Sequence, residues 1–224
     1  MVNIILCAAC VVLAAVFVDQ ERRQHYLPAV ILKGAASLCF VILGILGTRI
    51  AGDDRVARLI VIGLALGFAA DILLNLRFML PKFGQMIFLL GILVFLGGHV
   101  MYLWAISPSF YHFIICLVPT AGITFVLMRW IFTKIEAKKA FRIFGIFYIG
   151  VIVWLNCVAA GNVYAASNGF HWTFLLGALL FVVSDVVLIL NTFGPEQKFR
   201  LRALNLGLYY VGQLLIALSL QLIW

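Results

Sequence analysis

Charge is scarce in this sequence. Asp, Glu, Lys and Arg make up 11% of the 224 residues, whereas they make up about a quarter of an ordinary soluble domain. Hydrophobic residues make up 66%, so the composition excludes a protein whose main solvent is water. The sequence also lacks a glycine-rich phosphate loop, a G-x-S-x-G elbow and an H-E-x-x-H motif, which removes three common routes to an enzymatic assignment.

Cysteine and basic residues give no sign of two other classes of protein. All five cysteines fall inside apolar runs, where cysteine behaves as a small hydrophobe, so no disulfide framework is expected. The formal net charge is +8, but the basic residues lie between apolar runs and form no aromatic-basic surface motif. We therefore expect no nucleic-acid partner, since membrane orientation accounts for the charge.

Long apolar runs dominate the sequence. A spanning helix needs about 20 apolar residues, and eight such runs predict an all-α, polytopic integral membrane helical bundle of about eight transmembrane helices. Residues 1–224 are expected to form a single transmembrane domain. The predicted helices are 2–18, 29–47, 59–76, 86–106, 110–128, 143–165, 172–191 and 205–224. If Ser107, Pro108 and Ser109 do not separate the fourth and fifth runs, seven spans are the alternative.

The distribution of Lys and Arg predicts the orientation. Twelve of these 16 residues lie in the odd-numbered loops, three lie in the second loop, and Lys33 lies just inside the second helix. Because positive charge is retained on the cytoplasmic side, we expect the odd loops in the cytoplasm and both termini outside. The expected location is multi-pass in a membrane, specifically the inner (cell) membrane of a bacterium.

Comparison of the two halves at an offset of 114 residues indicates an internal repeat. Leucine matches between apolar helices arise easily, so two glycine pairs and one aspartate pair carry the weight. These pairs are Gly63 with Gly177, Gly98 with Gly212 and Asp71 with Asp185. The pattern suggests a 4+4 parallel repeat, in which two four-helix halves have the same orientation.

A few polar residues interrupt the apolar runs. Charged groups inside a span are costly, so they usually face a bundle interior or a wet cavity and mark functional sites. The candidate site residues are Lys33, Asp71, Asn75, His99, Tyr102, Ser184, Asp185, Tyr209 and Gln213.

Helical spacing and depth group these residues. Residues three or four apart share a helix face, and this relates Asp71 to Asn75, His99 to Tyr102, and Tyr209 to Gln213. Counted from the odd-loop ends at about 1.5 Å per residue, Lys33, Asp71, Asp185 and Tyr209 lie about 6–9 Å deep, Gln213 about 12 Å and His99 about 20 Å. We predict a polar funnel that opens toward the cytoplasmic leaflet and has His99 at its floor.

Structural explanations compete with the functional one. Either aspartate alone can be an interfacial or structurally paired carboxylate, and Lys33 can snorkel to the headgroups. His99 can serve as a hydrogen-bonding residue between helices. Two aspartates at matching depth favour a functional site.

Several motifs occur in order along the chain after Lys33, which begins the polar set. They are A-D-I-L-L at 70–74, F-L-G-G-H-V-M-Y at 95–102, F-V-V-S-D-V-V-L at 181–188 and Y-Y-V-G-Q-L-L-I at 209–216. With these motifs the sequence resembles the YhhN family of membrane lysoplasmalogenases. It departs from the family pattern at Gly34, where proline is usual, and at Ala70, where glycine is usual. Both departures concern backbone packing more than chemistry.

The resemblance implies hydrolysis of the vinyl-ether bond of lysoplasmalogen to a fatty aldehyde and glycerophospho-ethanolamine or glycerophospho-choline. The expected partners are therefore a lysophospholipid substrate and membrane lipids. This reaction needs a general acid and a charge-stabilising base, and we expect Asp71 and Asp185 to fill these roles in an order that the sequence leaves open. The expected substrate-binding or proton-relay residues are Lys33, Asn75, His99, Tyr102, Ser184, Tyr209 and Gln213. No cofactor and no metal ion are expected.

Two rival functions stay open. Asp71, Asp185 and His99 would be the ligands of a zinc-dependent membrane lipid hydrolase, although histidine is scarce inside the spans. Paired intramembrane aspartates in repeated halves are also typical of a proton-coupled transporter. No obvious pair of Pro/Gly-broken helices supports the transporter.

Overall fold

The computed structural model describes residues 1–51, 54–107, 110–137 and 139–223. Pro108 and Ser109, at the predicted break, and Trp224 lie outside the described residues. The helices are α1 (Val2–Arg22), α2 (Tyr26–Thr48), α3 (Asp54–Leu76), α4 (Gly84–Ile106), α5 (Phe110–Ile115), α6 (Leu117–Phe132), α7 (Lys139–Ala165), α8 (Gly169–Phe193) and α9 (Phe199–Ser219). Single 3-10 turns at Pro81–Phe83 and Leu220–Leu222 precede α4 and follow α9.

Within the described residues, eight helical segments are long and apolar enough to cross a membrane. Large apolar side chains are exposed on their surfaces, among them Ile4, Val118, Phe125 and Phe147. Such surfaces are unfavourable in water but match lipid tails. The prediction of a polytopic helical membrane protein with about eight spans is confirmed.

The fifth span is divided in two. α5 ends at Ile115 and α6 begins at Leu117, with Cys116 between them. Pro119 explains the interruption, because proline has no amide hydrogen to donate to the carbonyl of Ile115 four residues earlier. The next helical bond, from Thr120 N to Cys116 O, forms at 3.2 Å. The interruption is therefore local, and the two helices together make one span.

The chain divides into two compact units. Unit 1 comprises residues 1–105 and 216–224, and unit 2 comprises residues 106–215. In unit 1, α2 packs against both α1 and α3, whereas in unit 2, α7 packs against both α6 and α8. Each unit therefore has a central helix that contacts two neighbours.

Each unit also contains a close crossing of two helices at a glycine pair. A methyl group at Gly98 would lie 3.0 Å from the carbonyl oxygen of Gly63 in unit 1, and a methyl group at Gly212 would lie 2.9 Å from that of Gly177 in unit 2. Small residues of this kind let membrane helices approach closely. The glycines behind the predicted repeat thus have the same local geometry in both units. The parallel relation of the halves stays a prediction.

Candidate functional site

All nine polar residues predicted for the site are buried. Tyr209 is the most exposed of them, at 4%, and Ser184 is the least, at 0%. Polar groups sealed inside an apolar helical protein need partners from neighbouring helices. Their burial agrees with the expectation that they face away from lipid.

Lys33, Ser37 and Asp71 form a charged group in unit 1, the Asp71 cluster. Lys33 Nζ lies 3.1 Å from Asp71 Oδ1, and Ser37 Oγ donates a 2.5 Å hydrogen bond to Asp71 Oδ2. Because Lys33 and Ser37 are four residues apart on α2, they reach α3 from the same helix face. The ammonium group also lies 5.6 Å from the ring centre of Phe17 on α1, a favourable cation–π arrangement.

The position of Lys33 is explained by its contact with Asp71 and not by snorkelling to the headgroups. The Lys33 side chain is 4% exposed and its ammonium group contacts Asp71 instead of reaching headgroups. A buried ion pair is costly to desolvate and is tolerated when further hydrogen bonds satisfy its atoms, as Ser37 does here. Sequence reasoning missed Ser37 because a serine in an apolar helix is ordinary. Its four-residue spacing from Lys33 was the available signal.

His99 and Tyr102 lie next to each other on α4 of unit 1. His99 Nδ1 lies 2.9 Å from the carbonyl oxygen of Phe95, one turn earlier. The rings of His99 and Tyr102 meet edge to face with their centres 6.1 Å apart. Tyr102 in turn packs on Gly63, so it adjoins the glycine crossing.

Asn75 lies one helical turn after Asp71, near the end of α3. It is 2% exposed, and no described residue donates a hydrogen bond to its side-chain oxygen. Its main-chain oxygen accepts from Phe78 N at 3.2 Å, so the backbone completes the helix end without the side chain.

Asp185 of unit 2 is held by a neutral group. Tyr148 Oη, on α7, donates a 2.7 Å hydrogen bond to Asp185 Oδ2, on α8. Both side chains are buried. Among the described residues, no lysine or arginine forms a salt bridge with Asp185. The two predicted catalytic aspartates therefore have different partners.

Sequence reasoning also missed Tyr148, although the repeat could have found it. The offset of 114 residues pairs Lys33 with Phe147 and Gly34 with Tyr148. The partner of each aspartate thus comes from the central helix of its own unit, at positions one residue apart in the repeat. In unit 1 that partner is an ammonium group, and in unit 2 it is a phenol.

Ser184 joins α8 to α9 through Asn205. Ser184 Oγ donates to the carbonyl oxygen of Asn205 at 2.9 Å, while Asn205 Nδ2 donates to Ser184 O at 2.9 Å and to Ser184 Oγ at 2.7 Å. These bonds tie the two helices together one residue before Asp185. A substrate or relay role for Ser184 stays a prediction.

Tyr209 and Gln213 lie one turn apart on α9. The ring of Tyr209 meets Phe181 of α8 edge to face at 5.5 Å between centres. Gln213 is 1% exposed and directly follows Gly212, the α9 glycine of the crossing. Both residues therefore belong to the pair of helices that carries Asp185.

The described residues provide the groups for acid–base chemistry. Unit 1 holds an aspartate beside an ammonium group, and unit 2 holds an aspartate beside a phenol. Carboxyl groups in different surroundings are able to divide acid and base roles. Within the described ranges, no three His, Cys, Asp or Glu side chains converge into a set that would hold a metal ion. The joint action of Asp71 and Asp185 stays a prediction.

Comparison with known proteins identifies relatives. The protein-family model described as the YhhN family matches residues 28–220. The curated relatives include the proteins named Lysoplasmalogenase TMEM86A of Homo sapiens and of Bos taurus, each 36% identical over 75 residues. The match covers 32% of this chain and 31% of each relative, so it spans about a third of their length. No solved structure matches.

Proposed function

Since the chain belongs to the YhhN family, we propose that it hydrolyses the vinyl-ether bond of lysoplasmalogens, releasing a fatty aldehyde and glycerophospho-ethanolamine or glycerophospho-choline. The names of the curated relatives support this activity. The structural observation that carries the proposal is the buried Asp71 cluster, which lies inside the matched range.

The reaction adds one water molecule across the vinyl ether. A proton is transferred to the alkene carbon farther from the ether oxygen, which leaves an oxocarbenium cation. Water attacks the cationic carbon and loses a proton, giving a hemiacetal that collapses to the aldehyde and the glycerol hydroxyl. The chemistry therefore requires one group that donates a proton and one that accepts a proton and stabilises positive charge.

The partners of the two aspartates suggest how these roles divide. Asp71 accepts contacts from an ammonium group and a hydroxyl, as an ionised carboxylate does, so we assign it the base and charge-stabilising role. Asp185 has a neutral phenol as its partner, so we assign it the proton-donating role. Tyr209 and Gln213 would position water or glycerol, and His99 with Tyr102 would relay protons.

The depth of the Asp71 cluster suits this substrate. Lys33 is seven residues from the start of α2 and Asp71 is five residues from the end of α3, which corresponds to about 8–10 Å along a helix axis. In a lysoplasmalogen the vinyl ether joins the apolar chain to glycerol, just below the headgroup. We propose that the lipid enters with its headgroup at this end of the helices, from the cytoplasmic leaflet.

Purified protein in detergent, incubated with lysoplasmalogen and assayed for fatty aldehyde, tests the activity. The saturated-ether lysolipid is the matched substrate control, because it lacks the alkene that must be protonated. Asp71→Asn and Asp185→Asn should each lower turnover by about 100-fold or more. Asp19→Asn is the matched control variant, since the Asp19 side chain is 47% exposed and pairs with Arg23, whose side chain is 64% exposed. No aldehyde from the folded wild type would refute the proposed function.

The double variant tests whether the two aspartates serve one reaction. Groups that act as a unit are strongly non-additive, so removal of both should cost little more than removal of one. If Asp71→Asn and Asp185→Asn instead multiply their effects, the two aspartates contribute independently. Wild-type turnover in either folded single variant removes that aspartate from the mechanism.

A further inference from the structure

The side-chain oxygen of Asn75 is the polar atom near Asp71 that the fold does not explain. Asn75 is 2% exposed, lies four residues after Asp71 and so shares its helix face. No described residue donates a hydrogen bond to Oδ1. Buried side-chain polar atoms nearly always have a partner, and an atom without one calls for an explanation such as a ligand.

Two other buried or half-buried asparagines are anchored by hydrogen bonds from their side chains to main-chain carbonyl groups. Asn162 Nδ2 donates to the carbonyl oxygen of Ile106 at 2.7 Å. Asn156 also has a side-chain oxygen without a described donor, but its Nδ2 anchors the side chain to Ile152 O of its own helix at 2.9 Å. No such hydrogen bond to a main-chain carbonyl oxygen is present for the Asn75 side chain among the described residues. Its side-chain oxygen therefore has no structural role that would explain its burial beside Asp71.

We propose that Asn75 Oδ1 accepts a hydrogen bond from the free sn-2 hydroxyl of the lysolipid, an inference that rests on the proposed function. Asn75 is one turn from Asp71, about 6 Å along the helix axis. In the substrate, four bonds separate the cationic carbon, which Asp71 would stabilise, from the sn-2 hydroxyl oxygen, about 5 Å in an extended chain. A vinyl ether beside Asp71 therefore brings its hydroxyl level with Asn75.

This contact would distinguish lysoplasmalogens from plasmalogens that carry an acyl chain at sn-2. A hydroxyl donates a hydrogen bond to the amide oxygen, whereas an ester has no hydrogen to donate and leaves that oxygen without a partner. Sites that bind a substrate hydroxyl through a buried polar group reject analogues without it far more strongly than apolar pockets reject a missing methylene. Asn75 would thus be a specificity-determining residue.

Two substrates and two variants test the proposal. The substrates are lysoplasmalogen and its 2-deoxy analogue, which keeps the vinyl ether and headgroup but lacks the hydroxyl. Wild type should favour lysoplasmalogen by about tenfold or more in kcat/KM. Asn75→Leu keeps the side-chain size but lacks the oxygen, so the ratio of kcat/KM between the two substrates should fall to about threefold or less. The fall should come from a lower kcat/KM on lysoplasmalogen alone. Asn156→Leu is the matched control and should keep the wild-type ratio.

The outcomes separate this inference from the proposed function. If wild type cleaves neither substrate, the proposed function fails and the inference falls with it. If wild type cleaves lysoplasmalogen but Asn75→Leu keeps the wild-type ratio, or loses equally on both substrates, only the inference is overturned. If Asn75→Leu does not fold, Asn75→Gln, which displaces the same oxygen by one methylene, should reduce the ratio, and an unchanged ratio in that variant overturns the inference as well.

Discussion

The glycine crossing in unit 2 predicts a large difference between two chemically identical substitutions on α9. In Gly212→Ala the new methyl group would lie 2.9 Å from the carbonyl oxygen of Gly177 and 3.4 Å from Phe181 N, both backbone atoms of α8. In Gly207→Ala, on the same helix, the methyl group would meet no described atom within 4 Å beyond its chain neighbours and the nearby backbone of its own helix. Since the nearest neighbours of the first methyl are backbone, α8 and α9 must separate to admit it.

The two substitutions share one effect on stability and differ in another, and the second effect sets the size of the difference. Alanine is favoured over glycine in a helix by about 0.5–1 kcal/mol, and both variants receive this gain. Overpacking of a close contact costs about 1–3 kcal/mol, and only Gly212→Ala incurs it. We therefore expect Gly212→Ala to have a free energy of unfolding about 1–3 kcal/mol lower than Gly207→Ala.

Denaturant-induced unfolding of both variants in the same detergent, followed by tryptophan fluorescence and circular dichroism, measures this difference. Unit 1 supplies an independent pair of the same kind. Gly98→Ala would put a methyl group 3.0 Å from Gly63 O, whereas the methyl group of Gly122→Ala, on α6, would meet no described atom within 4 Å beyond its chain neighbours and the nearby backbone of its own helix. If Gly212→Ala is as stable as Gly207→Ala, the helices do not cross as closely as the glycines indicate, and the argument from the crossing is wrong.

Four further predictions concern charge, helix joining, the proton relay and orientation. Lys33→Met should lower the free energy of unfolding by about 3–5 kcal/mol, because it leaves a buried charge at Asp71 without its ammonium partner. Lys33→Arg keeps a cation and should lose less stability, and chemical unfolding of both variants measures the difference. Asn205→Ala should cost about 1–3 kcal/mol of stability while turnover per folded molecule is kept, and a loss of turnover without a loss of stability would contradict the helix-joining role. His99→Gln should retain part of the activity if His99 relays protons. If the wild type instead contains one equivalent of zinc, and His99→Gln loses both the zinc and all turnover, the metal-dependent rival is favoured. A reporter fused after Trp224 should behave as extracytoplasmic, and a cytoplasmic signal would overturn the orientation.

The spans and the charged residues of the site were predictable because their signals are strong. A run of about 20 apolar residues has few explanations besides a spanning helix, and the part of the chain that the structure describes contains eight such segments. Lys33 and Asp71 stand out in those runs because a charge there is costly, and the structure pairs them. The interruption at Cys116 was missed because the run was identified by its apolar composition alone. That composition does not show that Pro119 lacks the amide hydrogen for a helical hydrogen bond.

The neutral partners were less predictable. Ser37 and Tyr148 are ordinary residues in a membrane helix, and their roles depend on which helix faces each aspartate. Periodicity gives the face of a helix but not its neighbour. The structure supplies that neighbour, since α2 contacts α3 and α7 contacts α8. The difference between the partners of Asp71 and Asp185, which the matching halves of the sequence conceal, emerges from this packing.

The repeated glycine crossing also bears on how such a chain can evolve. Duplication of a gene for one half would supply two crossings and two aspartates in a single event, since each crossing lies within one unit. Later substitutions on the two central helices, at positions one residue apart in the repeat, would then place a different group opposite each aspartate. If the two halves arose in this way, lysine opposite Asp71 and tyrosine opposite Asp185 would be the outcome of such divergence. The duplicated scaffold makes chemical asymmetry available through a few positions, without the need to invent a second fold.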